Sequence, residues 1–112
     1  MAAEGKIQAD ICRWLEQQGF FFYRQNNTPV FDQKLNNGYG GYRSQGRWSM
    51  PGLADIFILI EGKVTYIEVK GPRGKQSADQ LLFARRCKKH GADYHVVRSV
   101  DEVKELFTPV HN

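Results

Sequence analysis

The chain has 112 residues, 41% of them hydrophobic and 25% charged, a composition that predicts one globular domain spanning residues 1–112. Its formal net charge of +4 suits a polyanionic partner but does not establish one. The sequence contains no apolar run long enough to span a membrane and no signal-peptide pattern, and Cys12 and Cys87 are predicted to be free thiols, so we expect an intracellular, cytoplasmic protein.

The first predicted element is a helix from Ala3 to Gln18. Its apolar stripe includes Ile7 and Ile11, and at about 100° per residue Glu4 points in the same direction. Glu4 can be a carboxylate that favours the helix dipole at the edge of the core, or part of a site on the buried side of the helix. The residues alone leave both interpretations open.

The second predicted element is an aromatic-rich strand from Phe20 to Gln25, and the segment after it, 26–50, changes character. The segment is rich in Asn, Gly, aromatic residues and arginine, which predicts a long loop or irregular hairpin. Aromatic rings interleaved with arginines suit base stacking and phosphate contact, and Arg43 and Arg47 are the leading candidates for DNA binding. A solvated surface excursion explains the same composition equally well.

A hairpin within the stretch from Pro51 to Lys70, with its turn at Glu61-Gly62-Lys63, is the predicted centre of the fold. Side chains alternate across a strand, so Glu68 and Lys70 share one face, and the hairpin brings Asp55 beside them. Buried charges need partners, and oxygen ligands suit a hard divalent cation. The alternative is that Glu68 and Lys70 line a solvated face while Asp55 caps a strand.

The elements after the hairpin are a turn, a helix, a strand and a short final helix. The turn carries Arg73 and Lys75, which either grip a phosphate backbone or are simply solvated. Ser77 and Gln80 form a capping-box pattern that begins a helix ending near His90. A strand from Ala92 to Arg98 and a helix ending near Phe107 complete the order α-β-β-β-α-β plus a C-terminal helix.

The spacing of Asp55, twelve further residues and then Glu68-Val69-Lys70 resembles the PD-(D/E)xK nuclease superfamily. The fuller pattern PGLADIF, YIEVKGPRGKQSADQ and HGADYHVVRS resembles its VRR-NUC branch, which occurs in standalone phage proteins and in a Fanconi-associated repair nuclease. One difference is that Ala54, rather than proline, precedes the aspartate. The resemblance implies an α/β fold with a restriction-endonuclease-like core, in which a mixed β-sheet is flanked by helices.

The resemblance also implies roles for individual residues. Asp55, Glu68, the Val69 carbonyl and Glu4 would hold Mg²⁺ or Mn²⁺, Lys70 would orient the attacking water or stabilise the phosphorane, and Gln80 would contribute to the active site. The implied activity is a metal-dependent endodeoxyribonuclease.

Standalone members resemble Holliday-junction resolvases, so we expect branched DNA (a four-way junction) as the substrate of a homodimer, and a host cytoplasm if the protein is phage-encoded. The alternatives are a nuclease for flaps or other branched DNA, and a non-catalytic nucleic-acid-binding module on the same fold.

Overall fold

The computed structural model describes residues 2–25, 31–42 and 48–107. Arg43 and Arg47 lie outside the described residues. The elements in chain order are α1 (Ala2–Gln18), β1 (Phe21–Arg24), β2 (Phe31–Asp32), β3 (Gly41–Tyr42), β4 (Ile56–Ile60), β5 (Lys63–Val69), α2 (Ala78–Lys89), β6 (Asp93–Val97) and α3 (Val100–Phe107). This order confirms the predicted fold and adds a two-stranded ribbon, β2–β3, inside the segment 26–50.

The central sheet has the strand order β1-β4-β5-β6. β4 pairs antiparallel with β1 and with β5, whereas β6 runs parallel to β5, so the sheet is mixed. A parallel pair needs a long crossover, and α2 supplies it between β5 and β6. The crossover places the carboxyl ends of β5 and β6 at the same edge of the sheet.

A two-residue turn fixes the register of the central hairpin. Glu61 and Gly62 both have positive φ, 49° and 82°, as a tight hairpin turn that follows the strand twist requires. Lys63, predicted to lie in the turn, instead pairs with Ile60 as the first residue of β5. This register puts Ile56 opposite Ile67, one residue inside the charged end of the hairpin.

The two faces of the sheet pack against different helices. On one face, α1 and α3 cover a core that includes the fully buried side chains of Ile11, Leu15, Ile58 and Ile67. Burying an aliphatic side chain of this size contributes roughly 1.5–3 kcal/mol to folding, so this face carries most of the apolar stabilisation. α2 covers the opposite face through a smaller cluster that includes Phe83 and Cys87.

A turn between the ribbon and β4 contacts the start of α2 closely. Gly52 has φ +76°, and a Cβ there would collide with the backbone of Asp79. The absence of a side chain at Gly52 therefore lets the first turn of α2 approach the chain just before β4.

None of the helices within 2–25 and 78–107 is long and apolar enough to cross a membrane.

Candidate active site

Three of the predicted site residues meet at one edge of the sheet. Because β4 and β5 are antiparallel and Ile56 pairs with Ile67, Asp55 at the entrance to β4 lies beside Glu68 near the end of β5. Lys70 follows β5 directly, and its backbone N–H continues the pairing with β6 by donating to the Val97 carbonyl at 3.0 Å. The hairpin thus brings together two carboxylates and an ammonium group, as the sequence predicts.

Backbone contacts from both sides hold Asp55 in place. The Val69 N–H donates to Asp55 Oδ2 at 2.7 Å. The Asp55 carbonyl accepts from the Gln25 N–H, also at 2.7 Å, and the Gln25 side chain donates to the Ala54 carbonyl at 3.0 Å. The carboxylate is therefore oriented by the strand that carries Glu68, while the end of β1 fixes its backbone.

Glu68 is the most deeply buried acidic side chain of the site, with 2% of its surface exposed. Its Oε2 accepts a hydrogen bond from Gln80 Nε2 at 3.0 Å and lies 3.5 Å from Lys70 Nζ. Its Oε1 is buried without a hydrogen-bond partner. Burying an unpaired carboxylate oxygen is costly, so this atom marks a position where a cation would be stabilised.

Gln80 serves the helix and the site at the same time. Its Oε1 accepts from the Ser77 N–H at 2.9 Å and its backbone N–H donates to Ser77 Oγ at 3.1 Å, which completes the predicted capping box. The other end of the same amide, Nε2, donates to Glu68. The two roles are compatible in one conformation because they use opposite ends of the side chain.

The electrostatics of the carboxylate pair favour a bound cation. Burial, together with the nearby Asp55 charge, raises the pKa of Glu68 to about 8. Burial is also the main cause that raises the pKa of Asp55, against the hydrogen bond from the Val69 N–H. Two close carboxylates resist simultaneous ionisation unless positive charge is added. The pair and the unpartnered Glu68 Oε1 therefore fit a divalent cation with oxygen ligands.

Glu4 lies near this pair, on the half-buried side of α1 as predicted. Its charge is among the causes that raise the pKa of Asp55. It lines a cleft of about 490 Å³ together with Arg73 and the glycines of the turn after β5. Within the described ranges, however, no three His, Cys, Asp or Glu side chains are grouped closely enough to hold a metal ion. Direct ligation by Glu4 and by the Val69 carbonyl therefore stays a prediction.

The turn after β5 presents the predicted cationic residues to solvent. Arg73 and Lys75 are both exposed. Arg98, at the end of β6, donates from Nη1 to the Gly71 carbonyl and so ties this turn to the sheet. The turn is therefore positioned beside the carboxylate pair.

Two contacts around the site were missed by sequence reasoning. The sequence predicted only that Arg98 lies in a strand. Its position at the end of a strand parallel to β5 could have indicated that it contacts the turn after β5. Tyr94 is half-buried on β6, where burial and the charge of Glu68 raise the pKa of its hydroxyl to about 12. Gln76 donates to that hydroxyl at 3.2 Å. No sequence pattern identifies Tyr94, because its proximity to Glu68 depends on the parallel register.

Comparisons with known proteins agree with the fold. A family model described as "VRR-NUC domain" matches residues 2–101. A solved structure described as a VRR_NUC domain has a TM-score of 0.66 and 23% sequence identity, and the match covers 95% of this chain and 98% of that chain. No curated protein matches. The structural likeness extends over nearly the whole chain and supports the same α/β architecture.

Proposed function

Because this chain belongs to the VRR-NUC domain family, and so carries a nuclease domain, we propose that it is a metal-dependent endonuclease that hydrolyses phosphodiester bonds in branched DNA. One observation carries the proposal. Asp55 and Glu68 converge at a sheet edge where Lys70 is the nearby cation and Glu68 Oε1 is buried without a partner. This constellation suits phosphate chemistry because it can concentrate positive charge where the scissile phosphate becomes more negative.

The proposed metal ligands are Asp55, Glu68 and the Val69 carbonyl, with Glu4 contributing directly or through water. Oxygen ligands of this kind suit Mg²⁺ or Mn²⁺. A bound divalent cation would supply Lewis acidity towards the phosphate and would lower the pKa of water at neutral pH. The Val69 N–H and the Gln80 amide keep the two carboxylates oriented for that role.

Lys70 is the proposed electrostatic catalyst. Its Nζ lies 3.5 Å from Glu68 Oε2, and its side chain is only 11% exposed, so its charge acts in a poorly solvated environment. Lys70 would orient the attacking water or stabilise the phosphorane. In the hydrolysis, water adds to phosphorus, the bond to the 3′ oxygen breaks, and that oxygen takes a proton. The products are then a 5′-phosphate and a 3′-hydroxyl.

The proposed DNA contacts outside this centre are Arg73 and Lys75 on the turn after β5, together with Arg43 and Arg47. Arg73 lines the same cleft as Glu4, which supports a phosphate contact adjacent to the reacting group. Contacts of this kind position DNA without reading its sequence. A preference for DNA shape over base sequence is consistent with them.

The proposed substrate is a four-way junction, cut by a symmetric homodimer. Resolution needs two incisions, and a C₂ dimer supplies two identical sites at a fixed separation. Phe21, Leu81 and Leu82 are exposed apolar side chains that support a contact between two copies. Phe20 and Phe107, by contrast, pack against Trp14 at the core and are not available for such a contact.

Cleavage of labelled DNAs with Mg²⁺ and with EDTA tests this function. The panel consists of a four-way junction, a flap, a Y-fork, a linear duplex and a single strand, and the molar mass in solution is measured in parallel. We expect Mg²⁺-dependent cleavage of the junction by a dimer. If the protein is a monomer that cuts flaps better than junctions, the proposed substrate is a flap instead of a four-way junction. DNA binding without cleavage in any divalent metal would leave only a binding module.

A further inference from the structure

The ribbon formed by β2, β3 and the connecting residues 33–40 is held together by its own hydrogen bonds. Phe31 pairs with Tyr42, and Asp32 with Gly41. Within the connection, the Asn36 side chain donates to the Gly40 carbonyl at 2.9 Å, and the Gln33 side chain donates to the Gly38 carbonyl at 3.0 Å. These hydrogen bonds within the ribbon define the shape of its tip. We call residues 31–42 the tyrosine ribbon.

Aromatic rings on this ribbon face solvent. Tyr39 is 89% exposed and Tyr42 is 69% exposed. Phe31 stiffens the base of the ribbon, because its ring meets Tyr42 edge-on at 5.5 Å and occupies the space where Gly40 would carry a Cβ. The hydrogen-bonded backbone thus presents Tyr39 and Tyr42 outwards, and neither belongs to a hydrophobic core cluster.

The ribbon is tethered to the proposed catalytic centre at both ends. The chain leaves the sheet at Gln25, which hydrogen-bonds to Asp55 and Ala54, and it re-enters the sheet at those same residues. Six Cα steps of at most about 3.6 Å separate Gln25 from Phe31, so the start of the ribbon lies at most roughly 22 Å from Gln25. DNA bound at the carboxylate pair is therefore within reach of the ribbon.

We propose that Tyr39 and Tyr42 stack on nucleobases whose faces are exposed at a DNA branch point or in a single strand. This inference rests on the proposed nuclease function, since it assumes DNA at the Asp55–Glu68 pair. Stacking on aromatic side chains tolerates any base sequence, because every base has a π-face. The ribbon would thereby favour branched over continuous DNA, in which base faces are covered by their neighbours.

The composition of the ribbon favours DNA over a second protein chain as its partner. Besides the aromatic rings it exposes polar groups, among them Gln33, Lys34, Asn36 and Asn37. A contact between two copies would need a more continuous apolar surface, whereas interfaces with nucleic acid are polar and hydrated. The exposed tyrosines, each with a hydroxyl group, suit a polar and hydrated interface with nucleic acid.

Equilibrium binding in EDTA tests the proposal without cleavage. The wild-type protein, Tyr39→Ala and Tyr42→Ala are titrated with a four-way junction, a single strand and a continuous duplex at several salt concentrations. Each substitution should weaken binding to the junction and to the single strand by about tenfold and leave binding to the duplex nearly unchanged. The dependence of log Kd on log salt should keep its slope, because no phosphate contact by a cation is removed.

Matched variants separate stacking from other causes. Tyr39→Phe retains the ring and should bind like the wild type, and Leu106→Ala, a truncation of an exposed side chain on α3, should have no effect. Arg73→Ala should weaken binding to all three DNAs and reduce the salt slope by about one.

Equal Kd values for Tyr39→Ala, Tyr42→Ala and the wild type on all DNAs would overturn the stacking proposal. So would a loss of dimer mass in Tyr39→Ala or Tyr42→Ala without weaker binding per subunit, since the ribbon would then be a protein contact. Cleavage by the wild-type protein in Mg²⁺ is scored separately. Absence of cleavage with intact ring-dependent binding would refute the nuclease proposal and leave the ribbon assignment standing.

Discussion

Gln80 allows the capping of α2 to be separated experimentally from the orientation of Glu68. Its amide accepts a hydrogen bond from the Ser77 N–H and donates one to Glu68 Oε2. Gln80→Ala removes both contacts. Ser77→Ala removes the hydroxyl half of the capping box and leaves the bond to Glu68 in place, so it is the matched control.

The two variants should lose similar stability but different amounts of activity. Loss of a helix cap costs about 1 kcal/mol, which lowers the Tm of a domain of this size by several degrees. A hydrogen bond to a charged group contributes roughly 1.5–3 kcal/mol, so a Glu68 carboxylate that loses the Gln80 donor should slow cleavage by about ten- to a hundredfold. The reduction should be smaller at high Mg²⁺ if Gln80 acts by orienting the metal ligand.

The assay is cleavage of a labelled junction across a Mg²⁺ titration, with Tm measured by circular dichroism and all rates taken well below both midpoints. We expect Gln80→Ala to need more Mg²⁺ for half-maximal rate than either Ser77→Ala or the wild type. If the two variants show the same rate and the same Mg²⁺ dependence, Gln80 only caps α2 and the reasoning about Glu68 is wrong.

Three further predictions concern the carboxylates and Lys70. Glu68→Ala and Lys70→Ala should each reduce the cleavage rate by on the order of a hundredfold or more while the protein stays folded. A near wild-type rate in a folded variant would contradict the assignment of that residue to the active site. Glu4→Gln should change the rate or the Mg²⁺ requirement more than Glu16→Gln, which alters an exposed residue. If both variants have equally negligible effects, Glu4 only interacts with the dipole of α1 and does not belong to the site. In metal-free protein, the raised pKa of Glu68 means that the folded state binds a proton that the unfolded state has lost, so stability should fall as pH rises from about 4.5 to about 8. Thermal melts of the wild type and Glu68→Gln in EDTA check this, and the same pH slope in both would exclude Glu68 as its source.

The sequence by itself determined the hairpin and the nearness of its charges. The hairpin was predictable from its apolar residues, from a turn near Glu61-Gly62-Lys63 and from the spacing of Asp55 and Glu68. These features depend only on the two-residue period of a strand and on local turn geometry. The capping box at Ser77 was likewise predictable, because its hydrogen bonds join residues three apart. These features are local, so short-range patterns are sufficient to specify them.

Only the tertiary structure decided what surrounds these charges. The register of β6 against β5 brings Tyr94 and Arg98 to the site, and the packing of α2 aims Gln80 at Glu68 while Glu68 Oε1 is left unpaired. These relations join residues far apart in the chain, and no local pattern encodes them. They depend on the crossover helix and on the burial of the sheet face, which exist only once the whole domain has folded.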